Sequence, residues 1–83
     1  MSFSEEEITA AVSKLIFGLT HKTITSEKEE LVESGILNSI TIAELAVEIE
    51  KHFSVSISFM EISKEHFNDL HSIKNLVKNK LAR

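Results

Sequence analysis

The chain has 83 residues, 42% of them hydrophobic and 27% charged, with a formal net charge of −4 and no cysteine or proline. That length holds one domain around one modest core, here residues 1–83, and the composition is that of a folded chain rather than a disordered one. The lack of cysteine excludes disulfides, thiolate metal sites and a thiol nucleophile of the chain's own, and an acidic balance without a basic stripe argues against a nucleic-acid backbone as main partner.

Apolar residues recur at helical rather than alternating spacing, so the chain reads as all-α. The first helix is predicted to begin near Glu5, with Ser4 and Glu7 forming a capping box and Phe3 and Ile8 a hydrophobic staple. Ile8, Val12, Leu15, Ile16 and Leu19 make its inner stripe, and Gly18 with Thr20 suggests a stop around 17 to 19.

Residues 20 to 38 read as a long connection anchored by Ile24, Leu31, Val32, Ile36 and Leu37. Ser26 and Glu29 are spaced to start a short helical turn through Val32 that Gly35 would end. The acidic run Glu27, Glu29, Glu30 and Glu33 reads as a solvated face.

The second helix is predicted over Ser39 to Phe53, capped by Asn38, with a competing capping box at Thr41 and Glu44. At 100° per residue, Ile42, Leu45, Ala46, Ile49 and Phe53 fall on one face and form its core side. The opposite face carries Ile40, Ala43 and Val47 among Glu44, Glu48, Glu50 and Lys51. An apolar strip flanked by carboxylates suits transient docking on a basic-rimmed groove; the alternative is that Ile40 or Val47 packs under the long connection.

Val55, Ile57 and Phe59 then alternate with serines as a strand would, but a lone strand has no partner in a helical chain. A short helix capped by Ser63 is expected over 64 to 68, burying Ile62 and Phe67. Asp69 should cap a last helix from Leu70 to Leu81, with Leu70, Ile73, Leu76, Val77 and Leu81 inward. Lys78, Lys80 and Arg83 at its end read as complements to the helix dipole. Together these make a four-helix bundle variant with three longer helices, one short helix and a long first loop.

No apolar run is long enough to span a membrane, and Met1 leads into Ser2, Phe3, Ser4 and three glutamates rather than a basic and then apolar leader. A soluble, cytoplasmic chain is expected, with no membrane insertion.

The segment Leu31-Val-Glu-Ser-Gly35-Ile-Leu-Asn38-Ser39-Ile40, followed by Glu44, Leu45 and a helix ending at His52-Phe53, resembles the signature of acyl carrier proteins. The resemblance implies an acyl-carrier-like bundle that is not itself an enzyme. A 4′-phosphopantetheine arm donated by coenzyme A would be attached at Ser39 between Asn38 and Ile40, carrying acyl or aminoacyl groups as thioesters. It implies Glu44 and Glu50 as acidic contacts and Ile40 as an apolar contact for partner enzymes, namely a phosphopantetheinyl transferase, a loading enzyme and a downstream synthase or transferase, all acting on a monomer. Asn38 stands where the family usually has aspartate, and Thr41 and Lys51 where it often has acids. The Gly35 to Ser39 turn and the Phe59 to Phe67 segment look more like aminoacyl carriers, including D-alanyl carriers, than fatty-acid carriers; polyketide and peptide carriers stay open.

A phosphodiester on Ser39 would lie at a helix start, where unpaired N–H groups and the dipole favour an anion. A hydrolase reading fails for want of a Gly-x-Ser-x-Gly elbow, and His21, His52, His66 and His71 are too scattered to serve it. His66 and His71 also lack a set of metal-ligand partners. The competing function is an unmodified helical adaptor that binds through the Ile40, Val47 and Glu44 face alone.

Overall fold

The computed structural model describes residues 3–82; Met1, Ser2 and Arg83 lie outside them, and with them the readings made on those three residues. Helix α1 (Glu5–Thr20), α2 (Ser39–Phe53), a 3-10 turn (Phe59–Glu61), α3 (Lys64–Phe67) and α4 (Leu70–Leu81) follow in order, and no strand occurs among the described residues. This is the expected all-helical bundle.

The capping box of α1 forms in both directions, Ser4 N–H to Glu7 Oε1 at 2.8 Å and Glu7 N–H to Ser4 Oγ at 3.1 Å. Phe3 stacks edge-on against Phe53, ring centroids 5.0 Å apart. Gly18 does not end the helix. Half-buried Leu19 keeps the last turn against the core, the Thr20 hydroxyl donates to Ile16 O at 2.8 Å, and His21 closes the helix at φ 59° with its N–H on Phe17 O.

One core joins Ile8, Val12 and Ile16 of α1, Ile42, Leu45, Ala46, Ile49 and Phe53 of α2, Phe67 of α3 and Leu70, Ile73, Leu76 and Val77 of α4. Leu31 and Leu37 complete it from the first connection, while Leu81 and Ile62, expected inward, are half-buried. α3 ends at Phe67, and Ser63 caps it with its carbonyl, not its hydroxyl.

The first connection holds no helix: a single turn starts at Ser26, with Glu29 N–H donating to Ser26 O at 3.2 Å, but it does not run on through Val32 as expected. An i to i+4 bond there would join Glu27 C=O to Leu31 N–H, and both groups are used elsewhere. Glu27 O accepts from His71 N–H at 3.1 Å, and Leu31 N–H donates to Asn68 O at 2.6 Å. His71 N–H is one of the donors left over at the start of α4, so the connection satisfies it. The Glu29 carboxylate turns back to Thr25 N–H at 2.9 Å instead of capping from Ser26.

Nor is the acidic run merely a solvated face. Glu27 accepts from the Lys74 ammonium at 3.1 Å, Glu33 pairs with Lys64, and buried Lys74 also reaches Glu5 at 3.5 Å. At the C-terminus Lys78 pairs with Glu5, and Lys80 with Glu61 at 2.6 Å, so these cations join elements as well as facing a dipole.

The Lys80 ammonium, with the Ser58 N–H, holds the Glu61 carboxyl down to about 2 from an ordinary 4.5, and Lys78 and then Lys74 lower that of Glu5. A carboxylate whose folded pKa is depressed contributes stability above its unfolded pKa, and that contribution is lost as pH falls towards the folded value. The bonded Glu27 carboxylate, more than burial opposes, raises the Lys74 pKa, so its contribution is present below 10.5 and is lost above it. Thermal melts should therefore weaken progressively from pH 4.5 to 2, and Glu61→Gln should flatten that loss; identical acid limbs would show that the Lys80 pair contributes nothing.

Candidate functional site

Asn38, at the start of α2, has extended backbone, and its Oδ1 accepts from Ile40 N–H at 2.9 Å and Thr41 N–H at 3.0 Å. Thr41 Oγ1 accepts in return from Asn38 N–H at 2.7 Å, so Thr41 closes the Asn38 box rather than starting its own with Glu44. The turn before it is equally fixed. Gly35 sits at φ 86°, where a side chain would be strained, and Leu37 N–H donates to Leu31 O at 2.9 Å. Ser39 is thus the first helical residue after a closed, buried-anchored turn.

The Ser39 side chain is exposed, and no described residue hydrogen-bonds its hydroxyl. Among the described residues His21 stacks on Phe17, His52 on Phe53, and His71 lies beside Asn75, and none of the three hydrogen-bonds Ser39.

The expected cluster of free N–H donors for a phosphodiester is reduced, because Asn38 takes those of Ile40 and Thr41. What remains is the positive end of a 15-residue helix whose first turn carries no acid. An exposed hydroxyl with no charge repelling an anion beside it fits an attached phosphodiester.

Ile40 is 70% exposed and Val47 46% exposed, so neither is tucked under the first connection. Ala43 and Glu44 are exposed beside them, and half-buried Glu48 lies 4.0 Å from Lys51. Glu50 is different: its carboxylate accepts from Ile57 N–H at 2.7 Å and holds the chain after α2 in place. That job turns it from the Ile40–Val47 strip, leaving Glu44 the strip's clearest free acid.

Two residues escaped sequence reasoning. Phe59 and Met60 are 88% and 87% exposed, although the Val55, Ile57, Phe59 alternation puts Phe59 on the inner side with buried Ile57. The 3-10 turn starting at Phe59 breaks the two-residue period. Its signal was the spacing of Ser58 and Glu61, whose carboxylate accepts Ser58 N–H at 2.9 Å as in a capping box.

Residues 6–78 match the family described as the phosphopantetheine attachment site. A D-alanyl carrier protein of Streptococcus mutans serotype c (strain ATCC 700610 / UA159) is 29% identical over 68 residues, covering 81% of this chain and 86% of the relative.

Proposed function

The chain belongs to the phosphopantetheine attachment site family, carriers of a covalently bound arm, and on that premise we propose that Ser39 is the attachment residue of a single carrier domain spanning 1–83. The observation that carries this is the exposed, unpaired Ser39 hydroxyl at the rigidly capped start of α2. When bound, 4′-phosphopantetheine supplies a terminal thiol on which acyl or aminoacyl groups are carried. The chain holds the attachment point and offers docking surface; it performs no chemistry itself.

Ile40, Ala43, Glu44 and Val47, with Glu48 at the edge, form the surface that partner enzymes meet, while Glu50 acts by holding the neighbouring loop. These partners are a phosphopantetheinyl transferase, a loading enzyme and an acceptor enzyme. An aminoacyl cargo, D-alanine first, is supported by the D-alanyl carrier relative. The proposal takes the chain as a cytoplasmic monomer; no helix among the described residues is long and apolar enough to cross a membrane.

Incubation with a phosphopantetheinyl transferase and coenzyme A should add one arm to the intact mass, and peptide mapping should put it on the fragment holding Ser39. A gain elsewhere, or none with several broad-specificity transferases, would leave the adaptor reading.

Asn38 tunes this site. Asn38→Asp keeps an oxygen for the Ile40 and Thr41 N–H groups and adds a charge that the dipole favours before modification but that repels the phosphodiester afterwards. It should stabilise the unmodified form more than the modified form, by at most about 1 kcal/mol. Equal shifts in parallel melts of the two forms would show that residue 38 is only a cap.

A further inference from the structure

A groove of about 240 Å³, open to solvent, runs between the outer face of α1 and the first connection, lined by Ser13, Lys14, Phe17, Thr23 and Ile24. None of these residues belongs to α2, so the groove is a surface apart from the Ile40–Val47 strip. Its walls are fixed. His21, which closes α1, sets its ring edge-on to Phe17 at 5.9 Å between centroids and its N–H on Phe17 O at 2.7 Å, and Lys22 N–H donates to Thr20 Oγ1 at 3.1 Å. Phe17 nonetheless remains 49% exposed, while Ile24 packs half-buried against the core.

The charge here is opposite in sign to that of the whole chain. Residues 8–26 contain no acid, in a sequence that has 13. Helix α4 is also free of acids, but its Lys74, Lys78 and Lys80 are met by Glu5, Glu27 and Glu61. Lys14 on the groove, and exposed Lys22 between His21 and Thr23, form no ion pair with a described residue. The Glu29 carboxylate, bonded to Thr25 beside Ile24, leaves both of them unpaired.

Gly18 points the same way. It lies one turn after Lys14 and next to Phe17, a Cβ there would meet nothing within 4 Å, and glycine weakens a helix interior relative to alanine. Packing within the chain does not require it. A bare stretch of helix beside an exposed phenylalanine suits the close approach of another chain.

We infer that this groove docks an acidic peptide segment of a partner protein, which inserts one aliphatic side chain between Phe17 and Ile24 and sets carboxylates against Lys14 and Lys22. At about 240 Å³ and open on one side, it is smaller than the roughly 300–1,000 Å³ of pockets that enclose small molecules. A bilayer surface is flat and is held by clusters of cations, against two here on a chain of net charge −4. Docking in the groove needs no arm on Ser39.

The test is an NMR titration of the full chain with two short blocked peptides, one holding a single leucine among glutamates and the other the same leucine among lysines. The glutamate peptide should give saturable shifts centred on residues 14–24, weakening as salt rises, and the lysine peptide none there. K14E/K22E, which changes two exposed side chains without described partners, should weaken the glutamate peptide at least about tenfold and bring the lysine peptide into the groove. G18Q should raise the denaturant midpoint yet weaken the glutamate peptide, a pairing that misfolding cannot produce. No saturable shift in 14–24 at millimolar peptide, or equal affinity for wild type and K14E/K22E, overturns the inference. Binding to phosphatidylglycerol vesicles but not to the peptide would assign the patch to a membrane, and wild-type self-association lost in K14E/K22E would assign it to a second copy; either result also overturns it.

Discussion

Ser39→Ala is expected to take up no arm under conditions in which the wild type is fully modified, and to unfold within about 0.5 kcal/mol of it. The hydroxyl is the only atom group removed, it is exposed, and no described residue bonds to it, so nothing in the fold is left unsatisfied. The cap is Asn38, which stays, and alanine in a first helical turn is at least as favourable as serine. Intact mass and a denaturant melt on the same sample separate the two effects. A gain of one arm by the variant would move the attachment to another serine, and a large loss of stability would reveal a structural role for the hydroxyl.

Leu31→Ala should destabilise the chain by about 2–5 kcal/mol, as large-to-small changes at fully buried positions do. That is a large fraction of the margin of a small domain, so much of the variant would be unfolded near body temperature. Leu31 is wholly buried although it lies in a connection, and its main chain is bonded to Asn68 on one side and Leu37 on the other. A denaturant midpoint shifted by less than about 1 kcal/mol would mean that the connection rests on the core without belonging to it.

The second helix was legible because its signals are local. Asn38, a 3.6-residue apolar period and a charged last turn all lie within it, and both boundaries agree. The segment that carries the family resemblance was legible for the same reason. The first connection was not, because the groups that stop Ser26 to Val32 from winding, Asn68 O and His71 N–H, belong to residues about 40 positions later, beyond the reach of any local pattern. Lys74 was overlooked although residues 70, 74, 77 and 81 share one stripe of α4, which places it among apolar neighbours. A buried lysine needs a partner, and Glu27 and Glu5 provide it. The exposed Phe59–Met60 pair was hidden by an alternation that ends one residue before it.

The two main-chain bonds between the first connection and the start of α4 also order events in time. Helices form fast from local contacts, whereas bonds spanning about 40 positions wait for loop closure. The connection can settle only after α4 exists to receive Leu31 and to donate from His71, and only then is the turn leading through Leu37 to Ser39 fixed. During synthesis, residues 68–71 emerge last of the pieces involved. On the proposal that Ser39 carries the arm, the serine reaches its final setting only after residues 68–71 have joined the fold, and arm addition would read out that step.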